Sequence, residues 1–153
     1  MPTLYMLCGL PGAGKTTMAR QMEKEKRILR LCPDEWIERL FGTRDHIDNP
    51  KLADKRRAHI EALQWDMAAC VLTLGVDVVL ENGFWSRSER QMYRQRAEAL
   101  GAKVEVIFLN VSRAALLTRI NRRNNEPGAF VTSEKDLDKW LAVFEPPTAD
   151  ELS

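Results

Sequence analysis

The stretch Gly9-Leu10-Pro11-Gly12-Ala13-Gly14-Lys15-Thr16 fits the pattern G-x-x-x-x-G-K-[ST]. Glycines and other small residues let successive backbone N–H groups turn inward around a phosphate, where larger side chains would occupy its place. A helix that starts at the end of such a loop adds the positive end of its dipole. In that chemistry Lys15 reaches the β and γ phosphates of a nucleotide and the Thr16 hydroxyl ligates magnesium. Thr17, the next residue, belongs with Gly9 to Thr16 as nucleotide-binding.

Three further groups carry chemistry. Asp34 follows the second apolar run, where a parallel α/β sheet brings a side chain up to the γ-phosphate position; a carboxylate there takes a proton from an attacking hydroxyl. The same residue can cap a helix beginning at Glu35, and the two roles are compatible. The run Val76-Asp77-Val78-Val79-Leu80 leads into Glu81 and Asn82, which puts Glu81 beside the phosphate loop to hold magnesium through water or to orient an acceptor. Arg119 and Arg123, four apart, project from one face of a helix leading into a glycine-bearing loop, with Arg122 the alternative if the register differs. Guanidinium groups on a hinged helix-loop-helix suit a lid that closes over a transferring phosphoryl group. His46, in a polar connection, and His59, within a long helix, have no partner at ligand spacing and read as surface or capping residues.

The elements that must position these groups alternate. Apolar runs at residues 4–8, 28–32, 76–80 and 103–109 read as strands, the first buried on both faces. Helical periodicity covers residues 15–26, about 35–41, 52–74, 87–100, 114–125 and about 134–144, with Ser133 capping the last. In the longest helix Ala58, Leu63, Met67, Cys70, Val71 and Leu74 recur every three or four positions, marking its expected buried face. Trp65 and Trp140 read as core. No fifth strand is apparent. Such alternation builds a three-layer α/β sandwich with ligands at the carboxyl ends of parallel strands.

Composition bounds the rest. The chain has 153 residues, 44% apolar and 29% charged, with 23 Lys plus Arg against 22 Asp plus Glu and a formal net charge of +1. That length supports one core and one domain. Near-neutrality gives no global field for nucleic acid or anionic membranes. Cys8, Cys32 and Cys70 lie far apart without ligand spacing, so neither disulfides nor structural zinc are expected. The first apolar run is too short for a leader or a membrane span, which makes the cytoplasm the expected location.

The order of these features resembles the small P-loop kinases related to zeta toxins, chloramphenicol phosphotransferase and the kinase domain of polynucleotide kinases. The likeness covers essentially the whole chain and is most specific at Gly9 to Thr16. It implies a P-loop NTPase sandwich of four or five parallel strands in a single domain over residues 1–153, with a small helical lid at about 119–133. It also implies ATP and Mg2+, with Asp34 as base or metal holder alongside Thr16 and Glu81, Arg119 on the adenine or the α and β phosphates, and Arg123 on the γ-phosphate. Cys32 stands where such kinases often carry Ser. The loop Gly83-Phe84-Trp85-Ser86-Arg87 is where the likeness places acceptor contacts, so Glu81, Asn82, Trp85 and Arg87, with Trp36 two positions past Asp34, are the substrate-binding candidates. The expected reaction is transfer of the γ-phosphate of Mg-ATP to a hydroxyl of a small molecule. A polynucleotide 5′-hydroxyl kinase and a regulatory ATPase are the alternatives, and oligomeric state is left open.

Overall fold

Alternate residues of β1 (Thr3–Cys8) are buried on opposite faces of a sheet, and two cores result. Leu4, Met6 and Cys8 join Val78 and Leu80 on one face; Tyr5 and Leu7 join Val79 on the other. The sheet is formed by β1, β2 (Ile28–Leu31), β3 (Asp77–Gly83) and β4 (Lys103–Phe108), all parallel, in the order β2-β3-β1-β4. The helices are α1 (Lys15–Glu25), α2 (Pro33–Phe41), α3 (Pro50–Thr73), α4 (Arg87–Ala99), α5 (Arg113–Asn124), α6 (Glu134–Val143) and the short α7 (Ala149–Leu152). This computed structural model describes residues 1–42, 48–127 and 131–152. Most of the 43–50 connection, including His46, and residues 128–130 of the expected lid lie outside the described residues.

Local signals account for the helix starts. Asn49, Ser86, Ser112 and Ser133 each accept a backbone N–H of the first turn, and Ser133 with Asp136 closes a reciprocal capping box. Helix α1 packs Ala19 and Met22 under one face of the sheet, while Ala68, Leu72, Tyr93 and Ala97 of α3 and α4 cover the other. A third cluster joins Leu10 and Ala13 of the phosphate loop to Leu116 and Ile120 of α5 and Leu137 of α6. The α/β sandwich is therefore as the alternation indicates, with four strands among the described residues.

Three expectations change. The buried face of α3 is Ala53, Ile60, Gln64, Ala68 and Leu72, whereas Leu63, Met67 and Leu74 are exposed. Apolar residues lie on both sides of this helix, and the small Ala side chains allow the closer approach to the sheet. Strand β3 also runs on to Gly83, so Glu81 and Asn82 are strand residues with fixed directions. Trp65 and Trp140 are half-buried and packed against the cores rather than within them.

Sequence patterning misses α7, which is held by charge. Arg90 is 2% exposed; its Nε donates to Glu151 Oε1 at 2.7 Å and its Nη1 to the Phe84 carbonyl at 2.7 Å. Burial pushes the Glu151 carboxyl up, but the bonds from Arg90 and from the Thr148 amide outweigh it and hold its pKa below the usual value. Removing one member of a buried pair leaves the other uncompensated. Glu151→Gln is expected to lower unfolding free energy by about 3 kcal/mol in a denaturant titration. A depressed carboxylate contributes stability that is present above its unfolded pKa and lost as pH falls through the folded one. The gap between wild type and variant should therefore narrow as the pH falls below about 4.5.

Candidate functional site

The turn from β1 into α1 leaves the sheet at Gly9, whose N–H donates to the Gly83 carbonyl on β3 at 3.0 Å. The Ala13 N–H donates back to Leu10 O at 3.0 Å, closing the loop. Gly14 sits at φ +101°, in the left-handed region that a side chain would strain, immediately before the helix. Lys15 Nζ folds over the loop and donates to the carbonyls of Gly9 (3.0 Å) and Leu10 (3.1 Å). Burial lowers its pKa, opposed chiefly by the charge of Asp34 and also by that of Glu81.

Beside the loop, Thr16 Oγ1 donates to Glu81 Oε1 at 2.7 Å, and Glu81 is 2% exposed. Two oxygen ligands next to a phosphate cradle match magnesium, which takes one or two protein oxygens, keeps several waters and shares the rest with phosphates. The residues present therefore fit that ion. The other oxygen of Glu81 accepts Arg30 Nη1 from β2 at 2.7 Å, and Arg30 Nη2 donates to Glu35 Oε2 at 2.8 Å. Burial works against the Arg30 charge, yet its bonds to Glu35 and Glu81 raise its pKa well above the ordinary value. Those bonds in turn hold the Glu35 carboxyl below its usual range.

Asp34 lies in the first turn of α2 with an exposed side chain. It does not cap the helix: Cys32 is the N-cap and makes no side-chain cap bond, and Pro33 begins the first turn. Instead Asp34 Oδ1 accepts Arg57 Nη1 of α3 at 2.5 Å, and Arg57 Nε also donates to Glu61 at 3.1 Å. The Cys32 thiol is buried and pushed up to about 12 by that burial.

One cleft of about 1140 Å3 has walls that include the phosphate loop, Thr17, Asp34, Glu81 and three arginines of α5, Arg119, Arg122 and Arg123. Arg119 Nη1 donates to the Gly12 carbonyl at 3.0 Å. At the end of α5 the Asn124 amide bonds both the Thr132 carbonyl (2.7 Å) and the Thr132 N–H (2.9 Å), which closes the base of the loop between them.

The remaining substrate candidates lie elsewhere. Trp36 packs against the core. Asn82 Nδ2 donates to the Tyr93 hydroxyl at 3.2 Å in the interior. Trp85 meets Trp140 and Phe144 at ring-centroid distances of 6.2 and 6.5 Å. Arg87 donates to Thr148 and Asp150 near the end of the chain, and Ser86 caps α4. Of the acceptor set, only Glu81 is on the cleft wall. Sequence reading overlooked Arg30 and Arg57. An arginine inside a short apolar strand was the available signal for Arg30; for Arg57, within a basic helix stretch, there was none.

A family model described as an AAA domain matches residues 4–147. Among solved structures, a candidate kinase from Chloroflexus aurantiacus J-10-fl is 20% identical, with a TM-score of 0.77 over 95% of this chain and 78% of that one. A gluconokinase from Sinorhizobium meliloti 1021 is 19% identical, with a TM-score of 0.70 over 97% of this chain and 78% of that one. A chain of the Pnkp1/Rnl/Hen1 RNA repair complex is 22% identical, with a TM-score of 0.71, and this protein covers 43% of it while 92% of this chain is matched. Kti12 of Chaetomium thermophilum, solved with ADP-AlF3, is 18% identical, with a TM-score of 0.69 over 95% of this chain and 81% of that one. At these identities the likeness is one of fold, a P-loop kinase-like sandwich. Matched over residues 4–147 and built around its phosphate loop, the chain belongs to the AAA domain family.

Proposed function

We propose that the protein is a magnesium-requiring kinase that transfers the γ-phosphate of ATP to a hydroxyl of a small molecule. The observation that carries this reading is that a single cleft gathers the phosphate loop, the Thr16–Glu81 pair, Asp34 and the α5 arginines. A module that only binds a nucleotide has no need of the last two.

In this mechanism the loop amides and the start of α1 hold the triphosphate, and Lys15 turns from its loop carbonyls to the β and γ phosphates. Thr16 and Glu81 would hold magnesium, which when bound would neutralise developing phosphate charge. Arg57 gives up Asp34, whose carboxylate accepts the proton of the acceptor hydroxyl as that oxygen bonds the γ phosphorus. The bond from the γ phosphorus to the bridging oxygen breaks, and ADP leaves. Arg123 or Arg122 comes onto the transferring group as α5 closes on the cleft, while Arg119 stays near the α and β phosphates.

The net charge of +1 counts against a polynucleotide 5′-hydroxyl kinase. Among the described residues no helix is long and apolar enough to cross a membrane.

The test is incubation with magnesium and ATP labelled on the γ-phosphate, with a pool of soluble metabolites and antibiotics in one reaction and a 5′-hydroxyl oligonucleotide in another. Label should move to a small molecule, and Asp34→Ala should cut that transfer by about 100-fold or more while ADP affinity is kept. Label on the oligonucleotide would favour the polynucleotide reading. Free phosphate alone, released at an unchanged rate by Asp34→Ala, would favour the regulatory ATPase. Lys15→Ala, by contrast, is expected to weaken ATP binding itself, read by calorimetry.

A further inference from the structure

Arg30 hydrogen-bonds two carboxylates with different duties, and its Nε lies 3.6 Å from a third, the half-exposed Glu23. One arm, Nη1, donates to Glu81 Oε2 at 2.7 Å; the other, Nη2, donates to Glu35 Oε2 at 2.8 Å. Its side chain is only 13% exposed and that of Glu81 is 1% exposed, so the contact is shielded from water. Glu81 already accepts Thr16 through its other oxygen, and both of its oxygens are therefore fixed. Glu35 follows Asp34 directly in the first turn of α2, and it also accepts Arg20 of α1, the helix that begins at the phosphate loop, at 3.2 Å. A planar guanidinium bonding two carboxylates at once fixes their separation as well as their charge, which a lysine ammonium on a flexible stem does not.

We infer that Arg30 is a positioning residue that couples the Thr16–Glu81 end of the site to the helix turn bearing Asp34, setting the distance between the bound phosphates and the proton acceptor. It touches neither nucleotide nor acceptor in this account, and it acts through Glu81 on one side and Glu35 on the other. The inference rests on the kinase reading above. Its consequence is selective: the ground-state nucleotide needs only the loop, Lys15, Thr16 and Glu81, which the Thr16 bond holds in place without Arg30, whereas a γ-phosphoryl group in flight must meet both ends of the site together. A misplacement of about 1 Å at such a site costs on the order of 100-fold in rate.

The test uses ADP with and without aluminium fluoride, a mimic of the transferring phosphoryl group, so that no acceptor need be known. Affinity is measured by calorimetry at saturating magnesium for wild type, Arg30→Lys, Glu35→Gln and the double variant, with thermal melting as a check of folding. All four are expected to bind Mg-ADP within about threefold of one another. Aluminium fluoride should tighten wild type by about tenfold or more and each variant by less than about threefold, with the double variant no worse than either single one, because both break the same link. Variants that tighten as wild type does would overturn the inference. So would variants that lose Mg-ADP affinity in proportion, since Arg30 would then be a structural support for the loop. A wild type that binds Mg-ADP but gains nothing from aluminium fluoride would instead remove the phosphoryl-transfer reading, and this inference with it.

Discussion

The hydrogen bond from Thr16 to Glu81, 2.7 Å long and closed to solvent on the Glu81 side, joins the first turn of α1 to the end of β3. Together with the Gly9 N–H on the Gly83 carbonyl, it fixes the phosphate loop between two neighbouring parallel strands. The loop's glycines have no side chains with which to hold its shape, and its Leu10 and Ala13 anchor it only toward α5 and α6. Its inward-facing geometry depends on being tied at both ends to strands that are themselves buried on both faces. The order β2-β3-β1-β4 is what makes this possible, because it sets β3 directly against β1.

Charge is handled in the same economical way around that anchor. Lys15, Arg30 and Arg57 each meet oxygen acceptors in the cleft region: loop carbonyls for Lys15, Glu81 and Glu35 for Arg30, Asp34 and Glu61 for Arg57. The buried contacts differ from the exposed one. Arg30 and Glu81 are shielded and therefore bind each other persistently, while Asp34 has an exposed side chain, so its pair with Arg57 is worth little. The proposed mechanism uses both properties: a fixed end for the phosphates and a releasable carboxylate for the acceptor hydroxyl.

The phosphate loop, the strand-helix alternation and the four-stranded sheet were legible in the sequence, because glycine spacing and apolar periodicity are local signals. The buried face of α3 was not. Leu63, Met67 and Leu74 advertise an apolar stripe, yet Ala53, Ala68 and the polar Gln64 turn inward, since the choice is made by how closely the helix approaches the sheet. Nor were the partners of Asp34 and Glu81 legible. Arg57 lies 23 residues from Asp34 and Arg30 lies 51 from Glu81, and no local pattern ties such pairs. The surroundings of the aromatic loop after β3 were not legible for a related reason: Trp85 and Arg87 have the composition of a binding loop, and their contacts come from α6 and from Asp150, far along the chain.

The most direct measurement is a crystal structure with magnesium and a non-hydrolysable ATP analogue. The account predicts the triphosphate cradled between Gly9 and Thr16, Lys15 turned from the Gly9 and Leu10 carbonyls onto the β and γ phosphates, Glu81 still bonded to Arg30, and the terminal phosphate facing Asp34. A nucleotide bound outside the loop, or a terminal phosphate directed away from Asp34, would contradict it.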